Sequence, residues 1–172
     1  VKSGDRTRGH RFMAPQSIQV RGIGDYLDKI RKAFVLVDRE ERASKIQEGA
    51  MAAARNVHGT PVLDPELLAT VTNMVEFPST LCGSFDKAFL QLPDPVLITA
   101  MKKHQKYFAV RDQQGRLMPH FVAVNNTVAR DETVVRRGHE RVLRARLSDA
   151  DFFFKQDREK PLQARLEDLK GV

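Results

Sequence analysis

From His139 to Phe154 the apolar residues recur at helical spacing, a pattern that no half-buried strand can carry. Val135, Val142, Ala150 and Phe153 fall on one broad side of such a helix, with Leu143, Leu147 and Phe154 at its edge. Arg137, Arg141, Arg144 and Ser148 form a narrow stripe opposite. The fold must therefore supply a docking surface for the apolar side and leave the arginines facing outward. His139 and Arg146 project into the middle of the apolar side, with Asp149 at its margin. Stranding a buried charge costs about 3–5 kcal/mol. A largely buried Arg146 thus needs an acceptor, and Asp149, three residues on, is expected to form a structural ion pair with it, Glu76 or a backbone carbonyl being the fallback.

The rest of the chain sets the partners for that helix. Its 172 residues suffice for one well-buried core, with two lobes (1–79 mainly helical, 80–172 hairpin plus long helix) as the alternative division. No apolar run approaches the roughly 20 residues that cross a bilayer. The first residues read as neither a signal peptide nor an ordinary start, and the last (Leu162, Leu166, Leu169, Gly171, Val172) still follow a helical pattern; both ends are expected to be cuts from a longer polypeptide. A single cysteine, Cys82, fits a reducing compartment and has no neighbouring His or Lys to activate it, so it reads as a small core residue.

Ser17 to Val20 reads as a short strand, Asp25 to Phe34 as a short helix, and Val35 to Val37 as a strand or junction. Asp38 caps a long helix, with Glu41 at its third position and an inner stripe of Ala43, Ile46, Ala50, Ala53 and Val57. Asp64 caps the next helix, Pro65 opens it, and Leu67, Leu68, Val71, Met74 and Val75 are its expected buried face; Glu76-Phe77-Pro78 stops it. Thr80 to Phe85 is a strand. Pro93 to Lys103 is a short helix with Val96, Leu97, Ala100 and Met101 inward. Tyr107 to Asp112 and Leu117 to Asn125 are hairpin partners, joined by a turn in which Gly115 supplies a positive φ. Asp131 leads into the arginine helix. The class is α+β: an antiparallel sheet with hairpin-linked strands packed against several helices, including the long C-terminal arginine-rich one.

Net charge is +7, and it is concentrated. Residues 1–12 (Lys2, Arg6, Arg8, Arg11 against Asp5) carry a balance of +3, residues 102–111 one of +4, and residues 129–146 one of +3, leaving the remainder at −3. Three basic islands on a mildly acidic body suit a polyanion, provided the fold gathers them. Catalytic patterns are missing: no phosphate-cradling glycine loop, no nucleophile elbow, and five histidines without i, i+4 pairing or zinc-spaced cysteines, so neither a catalytic residue nor a metal site is expected. In Met101 to Phe108, Lys102, Lys103 and Lys106 would meet phosphates. Tyr107 is the open aromatic, since alternation lets only one of Tyr107 and Phe108 face inward and Phe108 is the expected core residue. Arg6 to Phe12 repeats the theme, with Gly9 permitting close approach; a flexible basic tail is the plainer alternative.

Four segments carry a family resemblance. Arg6-Thr7-Arg8-Gly9-His10-Arg11-Phe12, Val75-Glu76-Phe77-Pro78, His104-Gln105-Lys106-Tyr107-Phe108 and the run from Glu140 to Phe153 together resemble the beta subunit of bacterial glycyl-tRNA synthetase of the heterotetrameric type, in the same order over essentially the whole chain. The family more often has Trp at Phe77 and Asn at His139. The resemblance implies an internal region of beta, upstream of the anticodon-binding part, in a cytoplasmic enzyme. It further implies that glycine and ATP react on the alpha subunit, with no cofactor in this region. The implied partners are alpha, the rest of beta and tRNA(Gly). Two roles follow as expectations: a module that seats tRNA through Arg6, Arg8, Arg11, Lys102, Lys103, Lys106, Tyr107, Arg137, Arg141 and Arg144, or an architectural domain organising beta and its contact with alpha. A hydrolytic editing role has no water-activating constellation to support it.

Overall fold

The computed structural model describes residues 4–159 and 163, so the expectations for Lys2 and for Leu162, Leu166, Leu169, Gly171 and Val172 lie outside the described residues. The class is α+β. A four-stranded sheet in the order β3 (Thr60–Pro61), β5 (Phe108–Arg111), β6 (Leu117–Asn125), β4 (Ser79–Ser84) is antiparallel at every pairing. The β5–β6 hairpin turns through Gly115 at φ +79, as its sequence requires. Ala109 pairs with Phe121 but Arg111 with Leu117, so β6 bulges around Pro119, whose ring nitrogen has no hydrogen to give the ladder.

Helices cover both faces of this sheet. On one, α2 (Arg39–Arg55) and α3 (Pro65–Met74) pack over Phe108, Val110 and Val122. The Asp38 carboxylate accepts from the Glu40 and Glu41 amides, and Asp64 accepts from Leu67, so both capping residues act as read. Ile46, Ala50 and Ala54 form the fully buried stripe of α2, with Ala53 and Val57 at its margin. Small residues at these positions let the helix lie close to the sheet. Met74 corrects the expected face of α3: it is 61% exposed. Val75 is already extended (φ −123, ψ 146), so Met74 closes the last turn and faces solvent, and Thr72 is buried instead, its hydroxyl donating to the Leu68 carbonyl at 2.7 Å.

On the other face lie a 3-10 turn (Lys87–Gln91), α4 (Asp94–Thr99) continued by a π-helical turn (Ala100–Gln105), and α5 (Glu132–Glu159). They enclose Leu81, Leu97, Met101, Tyr107, Phe121, Leu143 and Leu147. The two-sided cover corrects the reading of Tyr107 and Phe108. Successive strand residues do point to opposite faces, but here each face is core, and both side chains are buried. The phase of α5 is corrected too. Leu143 and Leu147 are the buried centre, while Val142 and Phe153, placed inward by sequence, are 46% and 59% exposed. At the N-terminus, β1 (Arg6–Arg8) pairs with β2 (Ser17–Gln19) ahead of α1 (Ile23–Lys32), so the first arginines lie on a hairpin rather than a tail. Val35 to Val37 is a junction, fixed by the Leu36 amide donating to the Glu76 carbonyl.

Candidate nucleic-acid interface

Two adjacent asparagines at the end of β6 hold the basic segments in place. Asn125 Oδ1 stands 2.8 Å from Nε2 of His139, and the Tyr107 hydroxyl stands 2.7 Å from Nδ1 of the same ring. An amide oxygen can only accept, so Nε2 carries the proton and the tyrosine donates to Nδ1. Burial holds the His139 pKa below its usual value and pushes that of Tyr107 up to about 12, so both are neutral at pH 7. Asn126 serves the other side. Its side-chain oxygen accepts from the Glu76 and Phe77 amides, and its carbonyl accepts from His10 Nε2 at 2.5 Å. His10 is fully buried, and its Nδ1 accepts from the Phe12 and Met13 amides. Neither asparagine stands out in the sequence, where Asn125 is simply the last residue of the expected strand.

Gly9 permits a close approach, though to the protein itself: a Cβ there would lie 2.5 Å from that of Ala33. The result is a turn that presents Arg11 and Phe12 outward, the guanidinium 5.7 Å from the ring centre and the ring 74% exposed. Arg6 and Arg8 are exposed on β1. A cleft of about 500 Å³ opens beside Phe12, lined by Phe12, Met13, Phe34, Thr127, Val128 and Arg130.

The second island is largely committed inward. Lys102 reaches Asp64 at 2.9 Å and Glu66 at 2.8 Å, which ties the π-helical turn to the cap of α3. The hydrogen bond from the Leu67 amide and that from Lys102 hold the Asp64 carboxyl below its usual range. Lys106 adopts φ +59 and donates to the Lys103 carbonyl at 3.1 Å, closing the π-helical turn. Tyr107 is 5% exposed and stacked on Phe121 at 4.6 Å, so no base can reach its face. Lys103 is exposed, with no carboxylate within 4 Å among the described residues.

The third island is displayed. Arg137, Arg141 and Arg144 lie exposed along α5, and none has an ion-pair partner among the described residues. Glu140, on the neighbouring face, accepts from the Ser84 amide and hydroxyl at 2.9 and 3.0 Å and closes the edge of β4. Arg146 is not buried. Its side chain is 53% exposed, and it stands 3.7 Å from an Asp149 that is 60% exposed, so water screens the pair and no buried charge needs compensation. Cys82 is half-buried, and burial pushes its thiol pKa up to about 11, which leaves it a thiol at neutral pH. The second and third islands sit on contacting elements, the π-helical turn packing on α5; the first is tied through His10 to Asn126, whose loop leads through Asp131, whose carboxylate accepts from Thr133, into the start of α5.

The whole chain, residues 1–172, matches the family model described as glycyl-tRNA synthetase beta subunit. It is 51% identical over its full length to the glycine–tRNA ligase beta subunit of Syntrophus aciditrophicus, 48% to that of Desulfatibacillum aliphaticivorans and 46% to that of Geobacter sulfurreducens. In each case it covers 25% of the relative, so the chain spans about a quarter of the length of the curated proteins it matches.

Proposed function

The chain belongs to the glycyl-tRNA synthetase beta-subunit family, and on that premise we propose that it helps to seat tRNA(Gly) on a cytoplasmic enzyme whose alpha subunit carries out the ATP-dependent activation of glycine. One observation supports this above the others. Three guanidiniums at helical spacing, Arg137, Arg141 and Arg144, are left without carboxylates among the described residues of a chain that neutralises many of its other cations internally. Free cations in a row recover their desolvation best against a row of phosphates, because each contact releases a condensed counterion. Arg6, Arg8, Arg11 and Lys103 extend the track; Lys102, Lys106 and Tyr107 hold the scaffold beneath it. The reading assigns no adenylate chemistry to this part of beta, which has no phosphate-cradling glycine loop.

The test is to replace Arg137, Arg141 and Arg144 by Gln in the complete alpha–beta enzyme. The Michaelis constant for tRNA should rise about ten-fold or more, with glycine-dependent exchange between pyrophosphate and ATP unchanged. The log–log salt slope should fall by about 0.9 per duplex phosphate lost, or about 0.7 in a single strand. Wild-type tRNA kinetics at every salt concentration would overturn the proposal.

An architectural role has its own support. Val142, Phe152 and Phe153 are 46%, 60% and 59% exposed on α5, an apolar surface suited to the remaining three-quarters of beta or to alpha. If that role were the whole function, the glutamine variant would retain tRNA binding, while Phe152→Ser with Phe153→Ser would impair assembly.

A further inference from the structure

We infer that the cleft beside Phe12 binds a single unpaired nucleotide of an RNA, its base stacked on the Phe12 ring and its phosphate met by Arg11 or Arg130. This rests on the RNA-seating reading above and adds a second, non-helical contact to it. Phe12 is 74% exposed, yet its position is built: its own amide and that of Met13 donate to His10 Nδ1 at 3.2 Å, and His10 is fully buried and anchored to Asn126. Fixing the backbone that carries an exposed ring lowers the freedom lost when a base stacks on it, so more of the stacking free energy is retained as affinity.

A second ring lines the same cleft. Phe34 adopts φ +60, a left-handed conformation rarely taken by a bulky residue, and its ring meets Phe77 edge-on at 5.4 Å while the residue stays 37% exposed. The cleft, about 500 Å³, lies in the size range of small-ligand sites. Its charge selects the ligand. Among the described residues, no acidic side chain lines it, and neither Arg11 nor Arg130 has a carboxylate within 4 Å. Flat rings flanked by unneutralised guanidiniums fit a planar base bearing a phosphate better than an aliphatic side chain of a protein partner.

The experiment uses the complete alpha–beta enzyme with two probes, a tRNA(Gly) transcript and a ten-nucleotide oligouridylate, and measures Kd across a salt series. Phe12→Ala should weaken both about ten-fold with the salt slope unchanged, because stacking carries no counterion release. Phe12→Trp should restore binding, and Arg130→Gln should lower the slope by about 0.7. Because Phe12 is exposed, none of these changes touches the core. Wild-type affinity in Phe12→Ala overturns the inference, and if the α5 variant is impaired in the same assay, the RNA-seating reading survives it. If both variants bind normally, both proposals fall. Weakened association of alpha with beta at unchanged RNA affinity would make the cleft a protein contact and also overturn the inference.

Discussion

Residues 101–108 and residues 137–144 carry similar cationic character in sequence, and the fold uses them in opposite ways. In the first, Lys102 is taken by two carboxylates, Lys106 by a backbone carbonyl, and Tyr107 by Phe121 and His139. In the second, Arg137, Arg141 and Arg144 face outward with no carboxylate among the described residues. Charge counted along a chain therefore measures what is present, and only the contacts decide what remains available to a partner. A lysine beside an acidic helix cap is spent on holding the fold together; an arginine on the outer side of a helix anchored by leucines is not.

The contrast predicts large stability effects and small binding effects in the first segment, and the reverse in the second. Tyr107→Ala should cost the chain about 3–5 kcal/mol in denaturant unfolding, as truncation of a buried aromatic does. An effect below about 1 kcal/mol would erase the distinction between the segments. Arg137→Ala with Arg141→Ala should leave the unfolding midpoint nearly unchanged while weakening tRNA binding. Lys102→Ala should do the converse, lowering the midpoint by less than Tyr107→Ala and leaving the tRNA Michaelis constant within about two-fold, since this lysine is already occupied. Acid should act through the same buried network. His139 has a folded pKa below its unfolded value near 6.5, so the unfolded chain binds the extra proton more readily. Stability should be full above about pH 6.5 and be lost as pH falls through the folded pKa, and His139→Asn should flatten that decline in thermal melts between pH 7.5 and 5. The smallest effect is expected at Arg146→Ala, within about 0.5 kcal/mol, because the side chain is exposed and its pair screened.

Features with a local cause are legible in the sequence. Asp38 and Asp64 cap their helices because a carboxylate at that position reaches amides two and three residues on, and Gly115 turns its hairpin because it tolerates a positive φ. Features with a tertiary cause are not legible there. Helices on both faces of the sheet bury Tyr107 as well as Phe108, a fact that alternation alone does not contain. The phase of α5 differs from the periodicity because Val142 and Phe153 are as hydrophobic as Leu143 and Leu147, although the leucines are the fully buried contacts, with Val135 and Phe154 packed beside them. The basic segments themselves were legible. Their sorting into committed and available cations was not, because Asp64 and Glu66 lie 38 and 36 residues from Lys102 along the chain.

The adjacent asparagines also limit how the chain can vary in length. Asn125, the last residue of β6, reaches His139 with its side chain, and Asn126 just beyond it takes the Glu76 and Phe77 amides on its side chain and His10 on its carbonyl. Adding or deleting one residue between Phe121 and Asn125 would exchange their directions and unlock both histidines at once. The Pro119 bulge and the Gly115 turn stand before that stretch and can absorb a change; after Phe121 there is no such slack. Natural and engineered insertions should therefore gather in the hairpin tip and avoid the last five residues of β6. Substitutions there can be accommodated, but a change in residue count cannot.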